Sequence, residues 1–188
     1  MTHSKINVLA ISGSLRSGSF NSSLVAAFQT ASRGNLDVKV YHGAADLPFF
    51  SEDMEGDNTP ASVLTLRTEV QNADAIVIST PEYNGSIPGA LKNLIDWASR
   101  PYGDSSFAGK PTVVLGASIS PYGAQWAQEH LVAVLKATGA QIVGDVHPVG
   151  PAAEIYDADG SIASSAVQST LRDIASDIES VVLAPVQA

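Results

Sequence analysis

An α/β fold, with one parallel sheet covered by helices on both faces, is what the sequence predicts, and three observations predict it. Short β-branched runs alternate with segments of helical periodicity along the chain. Two of those runs, Ala75-Ile76-Val77-Ile78-Ser79 and Thr112-Val113-Val114-Leu115-Gly116-Ala117, are nearly continuous in apolar residues, as strands buried on both faces must be. The chain has 188 residues, 45% hydrophobic and 15% charged, an ordinary globular composition that predicts a single domain over 1–188.

The elements follow in order. Ile6-Asn7-Val8-Leu9-Ala10-Ile11-Ser12 reads as the first buried strand, and Leu24, Ala27, Phe28 and Ala31 then fall at i, i+3, i+4, i+7 on one helix face. Asp37-Val38-Lys39-Val40-Tyr41 is a second strand. An irregular stretch holding Pro48 and Pro60 leads into a helix marked by Val63, Leu66 and Val70. Ala75–Ser79 is the third strand, and Leu91, Leu94, Ile95 and Ala98 mark the next helix. Thr112–Ala117 is the fourth, followed by a helix at Leu131, Val134, Leu135 and Thr138. Gln141-Ile142-Val143 is a short fifth strand, and Leu171, Ile174, Ile178 and Val182 mark a closing helix. Such alternation requires right-handed crossovers between parallel strands. Ligands of open sheets of this kind sit beyond the carboxyl ends of the strands, which directs attention to the loops after strands one, three and four.

Charge and composition exclude several function classes. Ten Lys and Arg stand against 19 Asp and Glu, a formal charge of −9, so nucleic acid and anionic membrane are repelled on average. Residues 137–188 carry seven acids against Arg172 alone. With no cysteine, disulfides, thiolate nucleophiles, Fe–S clusters and Cys-based zinc sites are excluded. No apolar run approaches the roughly 18 residues of a membrane span, and the first residues lead straight into a strand, not into a signal peptide. The expectation is a soluble cytoplasmic protein with no membrane insertion. His3, His42, His130 and His147 are dispersed without metal-ligand spacing. Asp46, Glu52, Asp53, Glu55 and Asp57, with no basic residue between 40 and 66, read as a solvated loop.

The first loop, Gly13-Ser14-Leu15-Arg16-Ser17-Gly18-Ser19-Phe20-Asn21, offers three serines, an arginine, an asparagine, two glycines and no acid. Unpaired N–H groups at a helix N-terminus favour an anion, and Arg16 adds a charge-assisted contact to phosphate oxygens. A phosphate site and a merely polar turn are the two readings, with Asn21 also open as the N-cap of the helix. The loop lacks the Gly-Lys-Ser/Thr end of a Walker loop, and Leu15 breaks the Gly-x-Gly-x-x-Gly pattern. A phosphate monoester held by many neutral donors suits it best. The second loop, Pro81-Glu82-Tyr83-Asn84-Gly85-Ser86-Ile87-Pro88-Gly89, combines one aromatic face, open backbone at Asn84-Gly85 and two stiffening prolines. It is either a wall for a planar heterocycle or a structural turn in which Tyr83 packs on the strand end. In the third, Gly116-Ala117-Ser118-Ile119-Ser120-Pro121-Tyr122-Gly123, small residues permit close approach of a ligand near Ser118, or simply make a tight turn. No Gly-x-Ser-x-Gly elbow is present, which argues against a serine hydrolase of that kind.

Gly13-Ser14-Leu15-Arg16 through Ser19-Phe20-Asn21, together with Pro81 to Asn93 and Asp96-Trp97, resembles the NADPH-dependent FMN reductase family of flavodoxin-like quinone, azo-dye and chromate reductases. The resemblance runs over roughly residues 6–145 and weakens in the acidic C-terminal part. It implies a three-layer sandwich with a five-stranded sheet of order 2-1-3-4-5. It also implies FMN phosphate on Ser14, Arg16, Ser19 and Asn21, with backbone help from Leu15 and Phe20. Pro81, Glu82, Tyr83, Asn84 and Gly85 would then border the isoalloxazine, with Ser118 near its far side. Self-assembly as a dimer or tetramer is implied as well, with Trp97 and Arg100 as contributors; Trp97 is equally open to ordinary packing.

The expected activity is an FMN-dependent NAD(P)H oxidoreductase. Hydride passes from NADPH or NADH to the flavin, and electrons then go to a quinone, azo compound, free flavin or metal oxyanion such as chromate. The cofactor carries the redox chemistry, so no catalytic side chain is called for. The Asn84-Gly85 backbone is the candidate contact to flavin N5, and Arg16 and Arg100 are candidates to meet a 2′-phosphate. The alternative is a flavodoxin-type electron carrier without enzymatic activity.

Overall fold

Parallel strands order the molecule as β2-β1-β3-β4-β5, with β6 also on β4. The strands are β1 (Ile6–Ser12), β2 (Leu36–Tyr41), β3 (Ala75–Ser79), β4 (Pro111–Ala117), β5 (Gln141–Ile142) and β6 (His147–Val149); the helices are α1 (Phe20–Ala31), α2 (Ala61–Asn72), α3 (Gly89–Ala98), α4 (Gln125–Ala137) and α5 (Ser165–Leu183). The structure, a computed structural model, describes residues 5–32, 34–157 and 159–184; His3 lies outside them. Among these residues no helix is long and apolar enough to cross a membrane.

Side-chain alternation along the strands divides the core into two layers. Ile6, Val8 and Ala10 of β1, Ala75 and Val77 of β3 and Val113 and Leu115 of β4 face α1 and α5. Leu9 and Ile11, Ile76 and Ile78, and Val114 face α2, α3 and α4. All five residues of β3 are buried, which accounts for its unbroken apolar run.

The fifth strand differs from the expectation. β5 pairs only Gln141 and Ile142 with Pro111 and Thr112, and Val143 adds one N–H to Thr112 C=O at 3.0 Å. Gly144, at φ 69°, then breaks the strand. The chain returns to the same edge as β6, where His147, Pro148 and Val149 oppose Leu115, Gly116 and Ala117. Three residues containing a proline give no strand signal in the sequence; Pro148 is tolerated because this is a sheet edge.

The acidic stretch 46–57 is more ordered than a solvated loop. It forms three short 3-10 turns strapped across α3. The Asn93 side chain accepts from Phe50 N–H at 2.8 Å and donates to Pro48 C=O at 2.9 Å. Trp97 Nε1 donates to the same Pro48 carbonyl at 2.7 Å. Arg100 pairs with Glu52 and Glu55 and lies 5.5 Å over the Phe50 ring. The neutralising cation comes from 45 residues further along the chain, so local composition could not show it.

Candidate functional site

Where β1 ends, Gly13 continues the ladder by donating to Ser79 C=O at 2.8 Å. No side chain fits there, because a Cβ would stand 2.8 Å from Leu91 Cδ2 and 3.3 Å from the Ser79 carbonyl oxygen. The chain then turns on its own hydroxyls: Ser14 N–H donates to Ser12 Oγ and Arg16 N–H to Ser14 Oγ, both at 3.3 Å. The N-cap of α1 is Ser19, whose Oγ accepts from Asn21 N–H at 3.2 Å, so the capping role open to Asn21 falls to Ser19. Among the described residues no acceptor engages the N–H groups of Leu15, Ser17, Gly18, Ser19 or Phe20. The result is a cluster of free amides at a helix N-terminus, where a partial positive charge also resides. Ser14 and Ser19 are buried beneath it. The exposed Arg16 guanidinium stands at its rim, donating to Ser17 C=O at 3.2 Å and lying 5.9 Å over the Phe20 ring.

Asn21 does different work from its neighbours. Its side chain is buried, with Oδ1 accepting from Ser79 Oγ at 2.8 Å and from Ala117 N–H at 2.9 Å. Nδ2 donates to Ala117 C=O at 3.0 Å. These three bonds tie the start of α1 to the carboxyl ends of β3 and β4. The Asn21 amide thus joins the loops with Oδ1 and one of its two Nδ2–H donors, while Ser14, Ser19 and Arg16 face the free amides.

After β3 the chain forms a two-residue hairpin. Tyr83 and Ser86 exchange both main-chain hydrogen bonds, at 3.0 and 3.1 Å. Asn84 at φ 52° and Gly85 at φ 72° make the type I′ turn that this loop length favours, and glycine enters the left-handed region without steric cost. The N–H groups of Asn84 and Gly85 consequently project away from the hairpin; among the described residues neither has an acceptor. Tyr83 is half exposed beside them, and Pro81 is buried at the root.

Two side-chain tethers fix this hairpin to α4. Glu82 Oε2 accepts from Ala127 N–H at 3.1 Å in the first turn of α4, whose N-cap, Ala124, supplies no side-chain acceptor. The carboxylate of Glu82 thus serves α4, and only its backbone borders the cleft. Ser86 Oγ lies 2.8 Å from His130 Nδ1. At the third loop, Ser118 Oγ accepts from Ser120 N–H at 3.1 Å, while Ser118 N–H and C=O bond Val149 and Ala152. Exposed Ile119, Tyr122 and Trp126 stand beyond it, the two rings 4.8 Å apart.

Strand register places the loops side by side. Ser12 opposes Ser79 and Ser79 opposes Leu115, so the loops after β1, β3 and β4 leave neighbouring strands at one edge. Strand order reverses between β1 and β3, the position where open α/β sheets take ligands. Of the two residues named for self-assembly, the Trp97 side chain is 0% exposed in the core, as its packing alternative requires, and Arg100 bonds Glu52 and Glu55 on the strap. His130 reads in the sequence only as one of four dispersed histidines, and Trp126 and Tyr156 carry no reading at all; Tyr156 donates to Phe20 C=O at 3.0 Å. Trp126 and His130 recur at helical spacing on the exposed face of α4, which is the only signal they give.

The donor set fits FMN. Free amides, Ser14, Ser19 and Arg16 suit a phosphate monoester, and the free amides of Asn84 and Gly85 beside Tyr83 suit the polar edge of a planar ring.

Comparison with known proteins agrees with this geometry. Residues 6–154 match the family described as NADPH-dependent FMN reductase. An NAD(P)H-dependent FMN reductase of Pseudomonas aeruginosa is 41% identical over 167 residues, 84% of each chain. A quinone reductase of Escherichia coli is 36% identical over 140 residues, 74% of each. Among solved structures, the flavoenzyme NAD(P)H:(acceptor) oxidoreductase FerB of Paracoccus denitrificans superposes with a TM-score of 0.83 at 37% identity. That superposition covers 93% of this chain and 97% of FerB.

Proposed function

The chain belongs to the NADPH-dependent FMN reductase family, and from that membership we propose that it is an FMN-dependent NAD(P)H:quinone oxidoreductase. The observation that carries the reading is the cluster of free amides from Leu15 to Phe20 with Arg16 at its rim. Bound there, FMN supplies acceptance of a hydride from NAD(P)H and return of electrons to a second substrate. The chain's own residues bind and orient. Ser14, Ser19, Arg16 and the Leu15 and Phe20 amides hold the phosphate; Pro81, Glu82 and Tyr83 form one wall through backbone and ring. The Asn84 and Gly85 amides would offer donors to the polar edge of the ring, with Ser118 toward its far side. Asn21 orients all three loops through Oδ1 and one Nδ2–H, and its second Nδ2–H would serve as a donor on the phosphate side. No side chain needs to transfer a proton.

Acceptors beyond quinones belong to the same proposal: azo compounds and free flavin suit the exposed aromatic surface of Tyr83, Tyr122 and Trp126, and chromate would take its electrons at the same edge. NADPH and NADH both remain co-substrates in this reading. Arg16 and Arg100 stay the two candidates for the 2′-phosphate of NADPH; Arg16 would meet it beside the FMN phosphate, and Arg100 already bonds Glu52 and Glu55. A homodimer or homotetramer in the cytoplasm, without nucleic-acid or membrane partners, completes the proposal; sedimentation analysis reads the assembly state.

The test is direct. The purified chain supplied with FMN should show a flavin spectrum that bleaches under anaerobic NAD(P)H and recovers on addition of a quinone. A flavin spectrum that NAD(P)H leaves unbleached would instead indicate a flavodoxin-type carrier. Arg16→Ala should raise the FMN Kd about tenfold by removing the charged donor of the first loop; an unchanged Kd would place the phosphate elsewhere.

A further inference from the structure

Phe20 opens α1 and carries one of the free amides of the phosphate cluster. Its carbonyl already has the helix's own i+4 partner available, as every first-turn carbonyl does. Yet it also accepts a second donor, Tyr156 Oη at 3.0 Å. The two rings pack with centroids 4.9 Å apart at 41°, and the Arg16 guanidinium lies 5.9 Å from the Phe20 ring centroid. Phe20 thus contacts both Tyr156 and Arg16, the charged donor of the loop.

A phenylalanine at 156 would fill the same space without burying a hydroxyl, which is costly unless bonded. The hydroxyl bonds a backbone group that was already satisfied, so its effect falls on rigidity. Tyr156 is itself held firmly. Its N–H donates to Ala152 C=O at 3.0 Å, it bridges to Ile162 in an antiparallel pair, and Ile162 is buried and bonded by Gln168 Nε2. Burial raises the phenol pKa well above its ordinary value, so the proton stays on Oη and the donor persists across the working pH range. The family match ends at residue 154, two residues before this contact.

We propose that Tyr156 is a positioning residue for the FMN phosphate, fixing the first turn of α1 through the Phe20 carbonyl and ring so that the loop amides and Arg16 converge on the anion. The proposal rests on the phosphate reading given above. It assigns a role in the cofactor site to the acidic C-terminal part of the chain, beyond the residues that match the family model.

The test uses the full chain stripped of flavin and titrated with FMN and with riboflavin, which lacks the phosphate. Tyr156→Phe, which keeps the ring, should weaken FMN about fivefold to tenfold while riboflavin shifts by less than about twofold. Hydrogen exchange at the Asn21 and Ser23 amides, both bonded to Ser19, should quicken in the variant. An equal loss for both ligands, or no change in FMN affinity, overturns the positioning role. Arg16→Ala is titrated in parallel. If it lowers the preference for FMN over riboflavin and Tyr156→Phe does not, only the Tyr156 role fails. If neither variant alters that preference, the phosphate reading of the loop fails with it.

Discussion

Asn21 and Ala117 lie 96 residues apart, yet the side-chain amide of the first closes a two-bond ring with the backbone N–H and C=O of the second, at 2.9 and 3.0 Å. With Ser79 Oγ on the same Oδ1, one side chain sets the spacing of three loops. Asn21→Leu should therefore cost about 3 kcal/mol or more, because it strands buried donors and acceptors on β3 and β4. Urea denaturation reads the loss. A cost below about 1 kcal/mol would mean the amide holds nothing together.

Tyr83 is half exposed, so its removal should leave the fold intact. Tyr83→Ala should change FMN affinity or turnover with a quinone by about threefold to tenfold, the scale of one aromatic contact. If stability falls and both functional readouts hold, the ring is packing on the strand end and nothing more.

Glu82 accepts from the N3 amide of a helix whose own cap residue is alanine. Glu82→Ala should cost about 1 kcal/mol, and Glu82→Gln roughly half of that, since the amide keeps the bond and gives up the charge–dipole attraction. Equal losses in the two variants would show that the negative charge does not matter.

Trp97→Phe keeps most of the buried ring and removes the Nε1–H donor to Pro48 C=O. The expected loss is about 1–2 kcal/mol, with the strap at 46–57 becoming protease-sensitive before the remainder of the chain. Uniform sensitivity along the chain would show that the strap is held by other contacts.

Burial pushes the His147 imidazole below its ordinary pKa, and Asp177 and Asp145 oppose this only in part. The folded chain thus resists a proton that the unfolded chain accepts. Stability from this source is whole above the ordinary pKa and is lost as pH falls from that value toward the folded one. Between about pH 7.5 and about pH 5.5 the wild type should lose more Tm than His147→Gln; equal losses would assign the acid sensitivity to other groups.

The legible parts of the sequence were those whose cause is local. β3 has the predicted bounds because a strand buried on both faces must be apolar throughout, and β1 because its buried run from Val8 to Ile11 is unbroken. The serine- and glycine-rich loop and the Asn84-Gly85 turn likewise announce their geometry in a few adjacent residues. What stayed hidden depends on partners far along the chain: Asn21 on Ala117, Arg100 on Glu55, Glu82 on Ala127, Tyr156 on Phe20. Each of these residues has an ordinary local role, and only folding chooses otherwise. β6 escaped for a different reason, since three residues with a central proline carry no period.

The interrupted edge made by β5 and β6 also matters for a protein that must stay dispersed at cellular concentration. An unbroken edge strand offers a row of free N–H and C=O groups on which another chain's strand can grow. Here Gly144 bends the edge after two residues, and Pro148 deletes a donor from what resumes. At the opposite edge, Asp37 and Lys39 put charge of both signs on β2. One margin is short and broken and the other is charged, and each of these features opposes edge-to-edge addition.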